Sequence, residues 1–155
     1  MPKPKNQFVD IGNARFEDQE AVMREIIASD HCPFCQENLE KYHTQAIIKE
    51  TEHWILTTNK WPYKNTRVHL LAILKIHVEH LYDIPPAAGA ELIEIMGWAE
   101  KEYKALGGAF AMRFGDTDYS AGTISHLHAQ FIVPDIAAEG YEPTRFKIGK
   151  NPRDF

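Results

Sequence analysis

The segment Ser125–Asp135, with the sequence SHLHAQFIVPD, decides the fold of this chain. On a helix, His126 and His128 would point about 200° apart. On a β-strand, where side chains alternate, His126, His128 and Gln130 share one face. The other face then carries only apolar residues, which are Leu127, Ala129, Phe131 and Val133. Because such a face suits a sheet packed on a core and Pro134 ends the run, the pattern predicts a strand.

This strand brings two imidazoles and an amide onto one side of the sheet, with neighbouring side chains about 7 Å apart. A solvated outer face explains the alternation equally well. A neutral imidazole, however, is both a metal ligand and a nucleophile near pH 7. The segment is therefore a candidate functional site as well as a structural element.

The only two cysteines, Cys32 and Cys35, form the motif Cys-Pro-Phe-Cys and cannot build a disulfide framework. The pair can hold a zinc ion, which needs two further ligands for a closed tetrahedral site, and the spacing of the histidines does not choose them. A second interpretation is thiol redox chemistry, because the motif resembles the glutaredoxin dithiol. The segment before the motif predicts a helix, whereas an apolar strand precedes the glutaredoxin dithiol. A third interpretation is a pair of buried, reduced thiols.

The remaining patterns predict one α+β domain built on a mostly antiparallel sheet. Helical spacing predicts a short helix over 17–29 and a long helix over 87–106. The core-facing stripe of the long helix is Leu92, Ile95, Ala99, Tyr103 and Leu106. Runs of β-branched and aromatic residues predict strands over 45–48, 54–58, 68–74, 109–114 and 126–133. The 155 residues fit a single domain with its core over about 30–135 and tails over 1–16 and 136–155.

The charge and the N-terminus exclude several classes of protein. The 17 basic and 22 acidic residues give a net charge of −5, which argues against an extended nucleic-acid-binding surface. A small basic island is the candidate for local phosphate binding, and it consists of Lys60, Lys64, Arg67 and Lys75. No apolar run follows the positive N-terminus, and the longest aliphatic run, 70–74, is too short to cross a bilayer. We therefore expect a cytoplasmic protein with no membrane partner.

Three segments in this order resemble the histidine-triad (HIT) superfamily of nucleotidyl hydrolases and transferases. They are Cys-Pro-Phe-Cys, RVHLLAILKIH at 67–77 and AGTISHLHAQFIVPD at 121–135. The resemblance implies a HIT-like fold, a homodimer, and a zinc ion on four protein ligands. The implied ligands are Cys32, Cys35, His69 and His126. Four protein ligands leave no position for water, so this zinc would be structural.

By the same resemblance, His128 is the nucleophile. Its neutral imidazole would attack the α-phosphorus of a nucleotide and form a nucleotidyl-histidine intermediate. Dinucleoside polyphosphates and related nucleotide conjugates are the implied substrates. The expected substrate-binding residues are Ser125, Thr123, Asn59, Lys64 and Arg67. Trp61 and Tyr63, which lie near Asn59, have a smaller claim to contact the base or ribose.

Gln130 is the main departure from the resemblance, because many hydrolytic members carry a third histidine at this position. A glutamine amide can bond a phosphoryl oxygen but cannot supply a proton. Phosphate leaving groups and phosphate acceptors are therefore favoured over amine leaving groups, and transfer to phosphate over plain hydrolysis. A catalytically idle, zinc-stapled nucleotide-binding module is a further alternative. His77 and His80 are expected to be surface histidines rather than a second metal site.

Overall fold

The structure is a computed structural model that describes residues 5–154. Its strands are β1 (Ile47–Glu50), β2 (Trp54–Thr58), β3 (Thr66–Leu74), β4 (Ala109–Met112) and β5 (His128–Pro134). Its α-helices are α1 (Glu17–Ser29), α2 (Gln36–Tyr42), α3 (Pro86–Glu102) and α4 (Thr117–Ser120). The strands form one sheet in the order β1-β2-β3-β5-β4, and every pair is antiparallel. The α+β class and the antiparallel sheet are confirmed.

Helix α3 covers one face of the sheet and forms the main core with it. Leu70 of β3 and Ala129 of β5 are buried in the same cluster as Leu92 and Ile95 of α3. Removing each large aliphatic side chain of this kind from water contributes about 1.5–3 kcal/mol. The apolar face predicted for β5 is therefore the face that packs on α3.

A second layer covers the opposite face, which carries the polar side chains of β5. In the register of the sheet, Ile73 of β3 lies opposite His128 and Leu71 lies opposite Gln130. Leu71 and Ile73 pack in one buried cluster with Phe34 of the Cys-Pro-Phe-Cys motif. The polar face of β5 is therefore enclosed by protein and is not a solvated outer face.

The structure corrects several predicted boundaries. Helix α3 ends at Glu102, before Lys104 adopts a left-handed backbone with φ of 49°, so Leu106 lies outside the helix and is fully exposed. Strand β5 starts at His128, which leaves His126 in the preceding loop. Helices α2 and α4 were not predicted, because seven and four residues are too few to establish a helical period.

The predicted tails are folded onto the domain. In the N-terminal segment, the Asp10 N–H donates to the Thr123 carbonyl at 2.9 Å. In the C-terminal segment, Lys150 Nζ lies 2.7 Å from Asp10 Oδ2. Both segments therefore position the loop that leads into β5.

Within residues 5–154, none of the helices has the length and apolar character needed to cross a membrane.

Candidate active site and metal cluster

A cavity of about 390 Å³ opens beside β5 and is lined by both His128 and Gln130. This volume lies within the range of small-molecule sites, which is about 300–1,000 Å³. Among the described residues, the lining includes one acid, Glu142, and six basic side chains. The basic side chains are Arg15, Lys60, Lys64, Arg113, Arg145 and Lys147. In a chain with a net charge of −5, this local excess of cations suits an anionic ligand.

His128 is held with one ring nitrogen free. Its Nδ1 lies 2.7 Å from the backbone oxygen of His126, an atom that only accepts hydrogen bonds, so Nδ1 carries the proton. The lone pair of the neutral ring is then on Nε2. Phe34 contacts the ring edge-on, with the centroids 4.9 Å apart. Burial, with a smaller effect of the Arg113 charge, lowers the pKa of His128 to about 4, so the ring is neutral at pH 7.

The orientation of Gln130 follows from its contact with His69. The Tyr63 N–H donates to His69 Nδ1 at 3.0 Å, so the neutral His69 ring carries its proton on Nε2. That Nε2 lies 2.7 Å from Gln130 Oε1, which accepts the hydrogen bond. The NH₂ group of Gln130 is therefore left to donate elsewhere. Burial lowers the pKa of His69 to about 4, in keeping with a neutral ring.

Two thiols and two imidazoles converge next to His128. Among residues 5–154, the potential ligand atoms of Cys32, Cys35, His77 and His126 all lie within 4.8 Å of one another. Cys32 Sγ is 3.3 Å from His126 Nδ1, and Cys35 Sγ is 3.4 Å from His77 Nδ1. The two Nδ1 atoms are 3.2 Å apart.

This geometry fits a tetrahedral zinc ion. Zinc–sulfur bonds of about 2.3 Å and zinc–nitrogen bonds of about 2.0–2.1 Å separate neighbouring ligand atoms by about 3.4–3.8 Å. His126 is also prepared as a ligand, because its Nε2–H donates to the Leu74 carbonyl at 2.6 Å and leaves Nδ1 unprotonated. Zinc is the ion preferred by such a pair of thiolates and pair of imidazoles.

The structure differs from the expectation at the fourth ligand. His69, the residue implied by the resemblance, has both ring nitrogens engaged, with Tyr63 and Gln130, and is not part of the cluster. His77 lies in this place instead, and its side chain is exposed, as expected of a surface histidine. The expected ligands Cys32, Cys35 and His126 lie together.

The surroundings of the thiols do not favour redox chemistry. Burial raises the pKa of Cys32, and burial together with Cys32 raises the pKa of Cys35 to about 12. A redox nucleophile needs a lowered thiol pKa. The antiparallel sheet also differs from the alternating strand–helix order of a glutaredoxin-like protein.

The structure separates the expected substrate-binding residues into two groups. Asn59, Lys64 and Thr123 line the cavity. Ser125 does not line it, and its backbone N–H donates to Phe8 at 2.7 Å. Arg67 does not line it either, because its guanidinium donates to the Tyr103 carbonyl at 3.0 Å, beyond α3. These two expectations are corrected.

Several residues of the cavity were missed by sequence reasoning. Arg15 precedes α1, Arg113 follows β4, and residues 142–145 and 147 come from the C-terminal segment. Arg113 falls within the strand predicted over 109–114, and the others belong to no motif or periodic run. The proximity of Arg113 to the loop before β5 was the only available signal.

The cavity lining also includes apolar and aromatic side chains. These are Val22, Met23, Ile26, Phe34 and Tyr42. His43 belongs to the same lining, with its Nε2 2.9 Å from Thr57 Oγ1, whose hydroxyl donates to the Ala46 carbonyl. The lining thus combines cationic side chains with apolar and aromatic ones that suit a planar apolar group.

Comparison with solved structures identifies the fold. The chain is similar to a zinc-bound histidine triad family protein from Mycobacterium smegmatis, with a TM-score of 0.54, 23% identity, and coverage of 81% of this chain and 86% of that one. It is similar to a hypothetical histidine triad nucleotide-binding protein from Sulfolobus tokodaii strain7, with a TM-score of 0.53, 21% identity, and coverage of 79% and 83%. A histidine triad nucleotide-binding protein from Candida albicans gives a TM-score of 0.53, 16% identity, and coverage of 70% and 82%.

No protein-family model matches the chain, and no curated protein matches it significantly. The structural similarities nevertheless agree with one another. The chain has the histidine-triad fold, as the sequence resemblance implied.

Proposed function

We propose that this protein binds a nucleotide in the cavity and cleaves a bond at its α-phosphate through a nucleotidyl intermediate on His128. The observation that carries the proposal is the hydrogen bond between His128 Nδ1 and the His126 oxygen, at 2.7 Å. It fixes the tautomer in which Nε2 is an unprotonated nucleophile. The nucleotide-binding proteins with the same fold support the choice of ligand.

In the proposed reaction, the Nε2 lone pair forms a phosphorus–nitrogen bond as the bond to the leaving group breaks. The leaving group departs with the bonding electron pair. Water or inorganic phosphate then attacks the phosphorus, and the phosphorus–nitrogen bond breaks to restore neutral His128. Two displacements thus replace one difficult step.

Gln130 supports this reaction by donating to a phosphoryl oxygen. Its Oε1 accepts from His69, so its NH₂ group is available for this bond. Because an amide has no proton to give to a leaving group, phosphates should leave more readily than amines. We therefore propose transfer to phosphate as the favoured outcome, with hydrolysis as the alternative.

We also propose that Cys32, Cys35, His77 and His126 hold a structural zinc. All four ligands come from the protein, so no position is left for a reacting water. A bound zinc would fix His126, whose backbone oxygen orients His128. Thiolates that bind zinc persist in a reducing compartment such as the cytoplasm.

The central experiment is intact-mass measurement of the full-length protein incubated with a dinucleoside polyphosphate. We expect an acid-labile adduct of one nucleoside monophosphate and steady turnover. His128→Ala should lose both. His80→Ala is the matched control, because His80 stacks on Tyr82 with the ring centroids 5.0 Å apart and does not line the cavity.

Two other results would change the conclusion. Nucleotide binding without adduct or turnover would favour the idle binding module. Full activity in His128→Ala would exclude His128 as the nucleophile. Product analysis with and without added phosphate separates transfer from hydrolysis, since only transfer requires phosphate.

We further propose a homodimer formed through β4, which is an edge of the sheet. An edge strand offers backbone groups for pairing with a second copy. Phe110 and Phe114 are 47% and 54% exposed at this edge.

Light scattering should give twice the chain mass, and Phe110→Asp should shift the protein toward the monomer. Ile148→Asp, at an exposed position of the C-terminal segment, should leave the measured mass unchanged. A monomeric wild type would exclude the dimer.

A further inference from the structure

Two arginines meet at Tyr63, at the edge of the cavity that holds His128. The Arg15 guanidinium carbon lies 4.2 Å from the centroid of the Tyr63 ring. Arg113 Nη1 donates to the Tyr63 hydroxyl at 2.9 Å. The Tyr63 backbone N–H also holds His69, which in turn holds Gln130. Both guanidinium groups therefore contact Tyr63, the residue that orients Gln130 through His69.

Neither guanidinium has an anionic partner in the part of the chain that the structure describes, because no carboxylate there forms an ion pair with Arg15 or Arg113. Guanidinium groups that line a cavity without a protein carboxylate are available to bind an anionic ligand.

Both side chains also have N–H groups that no acceptor among residues 5–154 uses. Arg113 uses one N–H for Tyr63, and its Nη2 and Nε face the Lys147 carbonyl at 2.7 and 3.3 Å. One N–H is left on each of its terminal nitrogens. Arg15 uses Nη2 for the Trp61 carbonyl at 2.6 Å. The remaining donors form two planar forks, a geometry that matches phosphate oxygens.

The two guanidinium groups contact the same Tyr63 side chain, which brings two like charges together. Burial, together with the Arg113 charge, lowers the pKa of Arg15. The Lys147 backbone that fixes Arg113 belongs to the C-terminal segment, and Phe146 stacks on the Arg113 guanidinium at 3.8 Å. Arg113 therefore cannot easily turn away from Arg15, and an anion between them would remove the repulsion.

We propose that Arg15 and Arg113 form a second phosphate site, which binds the β-phosphate and further phosphates of the substrate. This inference rests on the proposed function and assigns the contacts to phosphates beyond the α-phosphate to these two side chains. The bond between the α-phosphorus and the bridging oxygen breaks, and its electron pair stays on the leaving phosphate. The two guanidinium groups neutralise that charge. The step needs no proton, which agrees with an amide at Gln130.

The test compares two substrates that share a nucleoside and differ in the leaving group. One is a dinucleoside tetraphosphate, and the other is a nucleoside 5′-phosphoramidate. Losing a charge-assisted pair should lower kcat/KM for the tetraphosphate about 10- to 100-fold in Arg15→Gln and in Arg113→Gln. For the phosphoramidate, which carries no further phosphate, we expect a change of less than about 3-fold.

Two matched variants define the specificity of the effect. Arg113→Lys keeps the charge but not the fork, so its loss should be smaller than that of Arg113→Gln. Arg24→Gln removes an exposed arginine of α1 that does not line the cavity, and its kinetics should equal wild type. Thermal denaturation checks that each variant is folded. If Arg113→Gln does not fold, the two substrates are compared in Arg15→Gln and in Arg113→Lys instead. Equal losses for both substrates would overturn the inference.

A binding experiment separates this inference from the proposed function. If no substrate reacts and no adduct forms, the reaction at His128 is wrong. Inorganic tripolyphosphate is then titrated calorimetrically into the zinc-loaded protein. Binding that weakens at least about 10-fold in Arg15→Gln and Arg113→Gln supports the phosphate site without the reaction. Absence of binding to the wild type, or equal binding by the variants, overturns it.

Discussion

At the scale of single residues, the two histidines of the segment 67–77 have different roles that zinc content can distinguish. We expect about one zinc per wild-type chain. His77→Asn should lose most of it after dialysis against a chelator, because three ligands hold zinc much more weakly than four. His69→Asn should retain zinc, since His69 contacts Gln130 instead. Elemental analysis per chain measures both.

The opposite pattern, with zinc lost from His69→Asn and kept by His77→Asn, would restore the ligand set implied by the sequence. The reason for the different assignment is physical. β3 ends at Leu74, so strand alternation says nothing about where His77 points. His69 lies within the strand on the same face as Gln130, close to the cluster but not in it. Only the turn after β3 brings His77 to Cys35.

Gln130 provides a second test at this scale. Gln130→Glu replaces the NH₂ donor by a carboxylate oxygen, which would repel a phosphoryl group. We expect kcat to fall about 100-fold or more, in line with losing one donor to the transition-state oxygen. Gln130→His can donate both a hydrogen bond and a proton, so it should improve turnover of a phosphoramidate relative to a polyphosphate. Single-turnover kinetics with both substrates measures this, and an unchanged preference would contradict the role given to Gln130.

At the scale of elements, the β1–β2 turn is fastened to α3 by His53 and Glu91. Glu91 Oε2 lies 2.5 Å from His53 Nδ1, and Oε1 accepts from the His53 N–H at 3.1 Å. Burial alone would raise the pKa of Glu91, but hydrogen bonds from Thr51 and His53 outweigh it and hold the pKa at about 2. The ionised carboxylate is thus the form that stabilises the fold.

Glu91→Gln should lower Tm by roughly 2–4 °C at pH 7, which corresponds to about 1 kcal/mol for a chain of this size. Because the folded pKa of about 2 lies below the ordinary 4.5, the stabilisation is complete above pH 4.5 and is lost as the pH falls toward 2. The difference in Tm between variant and wild type should shrink over that interval. Glu94→Gln, on the exposed side of α3, should change little at any pH.

The long and buried elements could be predicted from the sequence, and the short ones could not. Alternation over β5 identified the faces correctly because one side packs on α3 and the other faces the site. The stripe on α3 was correct at Leu92, Ile95 and Ala99 and failed at Leu106, where the left-handed Lys104 ends the helical path. Helix α2 has fewer than two turns and α4 has about one turn. Tertiary contacts therefore determine whether such short segments form helices.

At the scale of the whole molecule, the chain ends are joined by a buried ion cluster. Lys150 Nζ lies 2.7 Å from Asp10 and 3.1 Å from Asp118, and its side chain is 5% exposed. Asp10 is completely buried and also accepts from Thr117 at 2.7 Å. This cluster holds the C-terminal segment against the cavity. Sequence patterns could not predict it, because isolated charges far apart in the chain carry no periodicity.

Lys150→Met should lower the free energy of unfolding by about 3 kcal/mol or more, because it leaves the buried Asp10 charge without its closest partner. The corresponding fall in Tm is roughly 10 °C. Lys5→Met removes a 37% exposed lysine of the same cluster and should shift Tm by about 2 °C or less. Thermal denaturation compares the two, and equal shifts would contradict the importance of burial.

A zinc ion on the proposed ligands would also act on the unfolded chain. It would join Cys32 to His126, which are 94 residues apart, and a cross-link across a loop of that length removes about 4.7 kcal/mol of chain entropy from the unfolded state. A disulfide does this permanently. A zinc ion would do so reversibly, with a strength set by RT ln(1 + [Zn]/Kd). The same polypeptide would therefore have no single melting temperature, but one for each free zinc concentration.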